Sequence, residues 1–168
     1  MINRTRQFGG RCTPLLRLAL ALAAIYALWL AQAWQPARAG DLWTACTVRS
    51  YHFDRSQGYN ERNWGCGLEY GVARDTRLIA GAYRNSLFRR SLYAGALWTP
   101  LHVGPAKIGV IGGVVNGYDD ESHGRVFPVV APAVAIEYRG FGINLLATPR
   151  YRDSPGVIGL QLKFQVPL

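Results

Sequence analysis

From Trp64 to Ala73 large and small residues alternate without a break. Trp64, Cys66, Leu68, Tyr70 and Val72 fall on one side, and Gly65, Gly67, Glu69, Gly71 and Ala73 on the other. A period of two is a strand with two different surroundings. Here the bulky apolar column is expected to face outward and the glycine column inward, the reverse of an ordinary soluble sheet. The last segment repeats the pattern, with Ile158, Leu160, Leu162, Phe164 and Val166 opposite Gly159, Gln161, Lys163 and Gln165. Eight strands are predicted in all, at about 45–54, 64–74, 76–84, 91–99, 107–118, 127–138, 140–148 and 156–166.

The connections alternate in character. Those after the second, fourth and sixth strands are Arg74-Asp75-Thr76, Thr99–Ala106 and Arg139-Gly140. Those after the first, third, fifth and seventh carry more charge and more aromatics: Arg55–Asn63, Asn85–Arg90, Asp119–Arg125 and Pro149–Pro155. An even strand number, with tight turns at one end and elaborate loops at the other, predicts an all-β fold. The expected architecture is an eight-stranded antiparallel transmembrane β-barrel of the bacterial outer membrane. A soluble lipocalin-like barrel or periplasmic sandwich is the alternative. It would turn the apolar columns inward and leave glycines facing solvent along the second and fifth strands.

Inward positions sort by height. Near the loop end they are small or apolar, among them Gly65, Gly67, Gly113, Val129, Ala131 and Leu146; towards the other end stand Glu69, Glu137, Asn144, Gln161 and Lys163. A hydrocarbon-sized cavity above a hydrogen-bonded floor is expected, with Lys163 paired to Glu69 or Glu137 so that the charges are not buried alone. The first strand resists the sorting. Facing Arg49 inward also turns Tyr51 and Phe53 inward and His52 towards lipid, unless a bulge intervenes or His52 stands at the rim. Pro128 and Pro132 lie inside the sixth strand although proline cannot donate to a ladder. Either they mark strand ends or they unpair a strand locally and leave a lateral gap.

Composition changes the picture at the N-terminus. Arg4, Arg6 and Arg11 precede an apolar run from Leu15 to Trp34, and Ala37-Arg38-Ala39 follows. This is the layout of a secretory signal peptide, residues 1–39, with cleavage before Gly40 and the barrel in 40–168; a retained signal anchor is the alternative. Five of the 19 basic residues and none of the 10 acidic ones lie in that segment, so the formal charge falls from +9 to +4 in the remainder. The basic balance therefore reports partly on export, and nucleic acid is not implied. Two cysteines remain, Cys46 and Cys66. The predicted strand limits set them near opposite ends of neighbouring strands, about 20 Å apart at about 3.3 Å per residue. A disulfide needs Cα atoms within about 7 Å, so free thiols are expected.

No G-x-S-x-G, H-E-x-x-H, paired C-x-x-C or phosphate-binding glycine loop occurs in the chain. The topology instead collects His52, Tyr59, Asn60, Glu61, Arg62, Arg84, Asn85, Ser86 and Arg150 at the loop end, with further arginines and acids beside them. Arginine is suited to bidentate contact with phosphate.

These residues carry a resemblance. Tyr59-Asn60-Glu61-Arg62-Asn63-Trp64-Gly65-Cys66-Gly67 resembles the Y-N-E-R-P-W-G-G-G signature of the lipid A palmitoyltransferases (PagP). Ala80-Gly81-Ala82-Tyr83-Arg84-Asn85-Ser86 is similar to that family's A-M-A-F-K-D-S segment, which supplies a catalytic aspartate and serine. Pro128–Pro132 and Thr148-Pro149 are similar to its proline-bearing strands, which flank lateral openings for lipid. The resemblance implies an outer-membrane enzyme, expected as a monomer, that moves an acyl chain from a phospholipid to a lipid A hydroxyl without metal or cofactor. On it, His52 is the general base, Asn85 and Ser86 orient the donor ester or hold its oxyanion, and Tyr59, Asn60, Glu61, Arg62, Arg84 and Arg150 bind substrate. A Ser86 acyl-enzyme is a variant of the same scheme. Asn85 departs from the family's aspartate, His52 stands nearer the signature than the family's histidine, and Gly40–Ala45 is shorter than its amphipathic helix, with Trp43 as a residual interfacial anchor. A non-catalytic barrel that binds lipopolysaccharide is the competing expectation.

Overall fold

A computed structural model of the chain describes residues 39–118, 125–150 and 156–167. The expected signal segment lies outside the described residues except for Ala39. Eight strands close into one antiparallel barrel in sequence order. They are β1 (Leu42–His52), β2 (Gly65–Ala73), β3 (Thr76–Arg84), β4 (Arg90–Val103), β5 (Ala106–Val115), β6 (Phe127–Tyr138), β7 (Phe141–Thr148) and β8 (Val157–Val166). The Arg139-Gly140 turn has φ of 48° and 82°, the doubly positive backbone that lets a two-residue hairpin match strand twist. β4 runs four residues past its expected end, through Pro100 to Val103, by way of an irregularity between Trp98 and Leu101. The proline is tolerated there because the ladder is already broken.

The facing is that of a transmembrane barrel. Ile158, Leu162 and Phe164 on β8 and Leu68, Tyr70 and Val72 on β2 are exposed on the outside. Gln161, Lys163 and Glu69 are buried inside. A soluble barrel would show the opposite facing.

The floor is a balanced charge cluster. Asp41, Glu69 and Glu137 meet Arg77, Lys107 and Lys163. Lys163 Nζ donates to Glu69 at 2.8 Å and also pairs with Glu137. Asn144 Nδ2 donates to Glu69 and to Gln161, whose own amide donates to Thr47. Trp43 belongs to this floor and is no interfacial anchor. It is 4% exposed, donates from Nε1 to Asp41 at 3.0 Å, and lies under the cations of Arg77 and Lys163 at 5.3 and 5.1 Å. Arg77 on β3 and Lys107 on β5 complete the floor beyond the residues expected there.

Above the floor the expected hydrocarbon-sized cavity is absent at mid-barrel. The space enclosed by Ile79, Tyr93, Leu97, Ile111 and Leu146 over Glu69, Asn144 and Gln161 is about 10 Å³, room for about one water. The glycines make way for a side chain instead of a ligand. A Cβ on Gly67 or on Gly81 would collide with Tyr93 Oη, and one on Gly65 with the β3 backbone at Ala82 O and Tyr83 Cα. Tyr93, from β4, fills what Gly67 and Gly81 vacate.

Cys46 and Cys66 form a disulfide, with Cα atoms 3.9 Å apart, against the expectation of free thiols. Register decides the pairing. β2 begins level with Thr47, so Cys46 faces Cys66 directly across the ladder, and β1 continues for several residues with no β2 beside it. Both cysteines lie in the outward-facing columns. Closing a loop of 20 residues stabilises by about 3 kcal/mol in the chain-entropy account. Cys46→Ser/Cys66→Ser should lose an amount of that order in denaturant unfolding of the detergent-solubilised barrel. Thiol labelling of the denatured wild type should be negligible until a reductant is added.

Candidate functional site

The first strand's inconsistency is resolved by a bulge between Thr47 and Arg49. An extra residue in one strand reverses the facing of everything after it. Below the bulge Trp43 and Ala45 point inward; above it Ser50 and His52 do, while Arg49, Tyr51 and Phe53 are exposed. His52 is thus at the loop end of β1 with its ring 4% exposed, and Arg49 is delivered to the outer surface beside it.

Segment 59–64 stands in for the missing upper half of β2. Ser50 N–H donates to Glu61 O at 2.9 Å and Asn60 N–H to Ser86 O at 2.8 Å, so the segment bridges β1 to the β3–β4 loop. Ser50 Oγ donates to Asn63 Oδ1 at 2.6 Å, and Asn63 Nδ2 to Arg84 O at 3.0 Å. Asn60 Nδ2 donates to Asn85 O at 2.9 Å. Asn60 and Asn63 are buried at 7% and 4% exposure. Short amides suit this place because they satisfy backbone groups that a strand partner would otherwise have taken. Asn63, a position where the resembled signature has proline, is one of these braces.

The segment walls a cleft of about 380 Å³ lined by Arg49, His52, Arg55, Gly58, Tyr59, Asn60, Glu61, Arg62 and Phe88. His52 stacks on Tyr59 with ring centroids 4.7 Å apart and planes 24° from parallel. Its Nδ1 is buried with no hydrogen-bond partner. Glu61 does not bond the imidazole. Its Oε1 accepts from the His52 backbone N–H at 3.4 Å and its Oε2 from Arg55 Nη2 at 3.0 Å.

Asn85 and Ser86 sit behind the cleft wall. Asn85 is fully buried, and its amide is wholly engaged by the turn it occupies. Nδ2 donates to Ser91 Oγ at 3.0 Å and Gly117 O at 2.7 Å, while Oδ1 accepts the backbone N–H groups of Leu87 and Arg89 at 3.0 and 2.9 Å. No polar atom of that amide is left for an ester, so the orienting role expected of Asn85 gives way to holding the β3–β4 loop. The Ser86 hydroxyl is hydrogen-bonded to Tyr118, which in turn meets Tyr83 at 2.8 Å. Ser86 therefore belongs to a tyrosine chain, and its backbone carbonyl accepts from Asn60 N–H at 2.8 Å.

The remaining candidates spread along the rim. Arg84 donates from Nε to Phe88 O at 3.2 Å and lies over the Phe88 ring. Arg150 is exposed at the end of β7, its charge acting on Asp54. The Ser56 hydroxyl and backbone N–H hold that carboxyl below the usual carboxylate range. His123 lies outside the described residues, and His102 is at the tight-turn end, 2.9 Å from Asp75. Among the described residues no group of three or more His, Cys, Asp or Glu is placed to hold a metal. Arg49 and Arg55 were not among the expected substrate contacts; the outward facing of Arg49 depends on the bulge.

No protein-family model matches the chain, and no curated protein does. Solved structures match its fold. A barrel from the de novo design of transmembrane β-barrels is 14% identical with a TM-score of 0.60, covering 79% of this chain and all of the design. The designed barrel TMB2.3 is 13% identical with a TM-score of 0.54 over 77% of this chain and 96% of its own. The N-terminal barrel domain of Pseudomonas aeruginosa OprF is 11% identical with a TM-score of 0.45, over 76% and 98%. The two designed barrels share with this chain a fold, the closed transmembrane β-barrel.

Proposed function

We propose that this chain is an outer-membrane acyltransferase that moves an acyl chain, palmitate on the resemblance, from a phospholipid to a lipid A hydroxyl. The observation that carries the reading is His52, buried at the rim, stacked on Tyr59 and lining a cleft that also holds three arginines. In the reaction, Nε2 of His52 takes the proton from the accepting hydroxyl. The oxygen attacks the donor ester carbonyl, and the proton returns to the glycerol oxygen as its bond to the acyl carbon breaks. The transient oxyanion would be met by a cleft guanidinium, because the Asn85 amide is spent elsewhere.

A second feature supports lipid access from the side. β5 pairs with β6 along its whole length, and among the described residues the β6–β7 ladder runs from Ala133 to Tyr138. Pro128 and Pro132 lie in the part of β6 outside that ladder. On the resemblance, proline-bearing strands of this kind flank the lateral opening by which lipid would enter.

The filled mid-barrel changes one expectation. With about 10 Å³ left there, the barrel's middle does not measure a chain, and donors of 14 to 18 carbons are expected to react within about tenfold of one another, because the four added methylenes stay in the bilayer, whereas burying them in a measuring pocket would be worth about 3 kcal/mol, over a hundredfold. Competition between mixed-chain phosphatidylethanolamines, read by mass spectrometry of the product, checks this.

The non-catalytic reading, a lipopolysaccharide-binding barrel, is favoured by one observation: among the described residues no carboxylate bonds the imidazole of His52. The deciding experiment is expression in a Gram-negative host lacking lipid A palmitoylation. Lipid A heavier by one acyl chain is the expected result. An unchanged mass spectrum from a folded, membrane-inserted barrel would overturn acyl transfer and leave the binding reading.

A further inference from the structure

We propose that the cleft at the β1 bulge is a binding subsite for the phosphate of a lipid headgroup, with Arg49 and Arg62 as its principal ligands and Arg55 as its third cation. The inference rests on the outer-membrane reading above and adds to it a ligand chemistry and two residues, Arg49 and Arg55, outside the expected set.

Charge comes first. Three guanidinium groups line the cleft against one carboxylate, Glu61, and that carboxylate is already paired with Arg55 at 3.0 Å. Among the described residues neither Arg49 nor Arg62 is paired with a carboxylate. Two forked donors facing one space, with no acceptor of their own, are complementary to a phosphate, which offers several anionic oxygens to paired N–H groups. The volume of about 380 Å³ falls in the range of small-ligand sites.

Position comes second. Tyr51 and Phe53 are exposed on the outer surface at 50% and 62%, and Arg55 lies 5.8 Å over the Tyr51 ring. Exposed aromatics at a barrel's end mark the level of the headgroups. An arginine at that height meets lipid phosphate without leaving water entirely. The bulge makes this arrangement: with an unbroken alternation Arg49 would point into the barrel, and with the bulge it stands outside, next to an inward His52. One extra residue therefore sets a phosphate ligand and the imidazole on adjoining sides of the same cleft.

The test uses the purified full barrel in octyl glucoside, a phosphate-free detergent, and calorimetric titration with three probes. These are lipid A, the same lipid A stripped of its phosphates, and inorganic phosphate. Lipid A is expected to bind about tenfold or more tighter than the stripped lipid, the value of one charge-assisted pair. Arg49→Gln/Arg62→Gln should remove that difference, whereas Arg139→Gln, a charge lost at the opposite end, should leave it. Both variants are at exposed positions, and heat-modifiable migration in gels reports that they fold. Equal affinity for the two lipids, or an equal loss in Arg139→Gln, would overturn the subsite. Inorganic phosphate binding as tightly as lipid A would overturn the lipid assignment. The outcome separates from acyl transfer: phosphate-dependent binding without any acylated product sustains the subsite alone, and normal product with unchanged KM in the double variant sustains the enzyme alone.

Discussion

Lys163→Met is expected to be the most damaging single substitution for stability, costing about 3–5 kcal/mol, the usual loss when one partner of a buried ion pair is removed. Lys163 is fully buried and serves Glu69 and Glu137 together. The floor holds three carboxylates and three cations. Losing one cation leaves a net negative charge in a site closed above by apolar packing around Ile79 and Leu97. Methionine matches the length of the lysine stem, so the loss measures charge more than volume. Urea unfolding in detergent, followed by tryptophan fluorescence, reads both the cost and its origin. The double variant Lys163→Met/Glu69→Gln restores the balance and should recover part of the loss, a coupling that a double-mutant cycle isolates. Additive losses would show that the cluster does not act as a unit.

His52→Phe should lower acyl transfer by about 10²- to 10⁴-fold, the usual worth of a positioned acid–base group. Phenylalanine is the informative choice because the stack on Tyr59 survives it. It also deletes a buried Nδ1 that has no partner, so the fold should be no less stable than wild type. His52→Ala, by contrast, removes the ring and loosens the cleft wall, and its loss would mix chemistry with packing. A folded His52→Phe barrel that still produces acylated lipid A at the wild-type rate would remove His52 from the chemistry. The site would then have to be sought at Ser86 and its link to Tyr118.

Much of the barrel was legible in the chain. Alternation of Trp64 to Ala73 and of Ile158 to Val166 marked the strands and their facing, because a pleat permits only two environments. The alternation of tight and elaborate connections ordered the strands around a closed sheet. Lys163, Glu69 and Glu137 were recognisable as floor residues, since inward charges with no water must find one another. Pro128 and Pro132 keep their register with β5, opposite Val114 and Val110.

What the chain did not reveal all depends on register or on a third strand. The Cys46–Cys66 bridge needs the level at which β2 starts, and that level is set by segment 59–64 taking the place of strand on β1. The filling of the mid-barrel needs Tyr93, two strands away from the glycines it rests on. The duty of Asn85 needs the backbone of Gly117, across the barrel loops. The signature at Tyr59–Tyr70, which reads as one motif in the chain, is two devices in space: asparagines that brace the rim, and a strand whose Gly67 receives Tyr93. Period and polarity determined the strands, their facing and the end at which chemistry gathers, because these follow from local geometry. Only the closed barrel decided where β1 bulges, and with it the side on which His52 and Arg49 stand, because a bulge is fixed by the match between neighbouring strands and by no residue on its own.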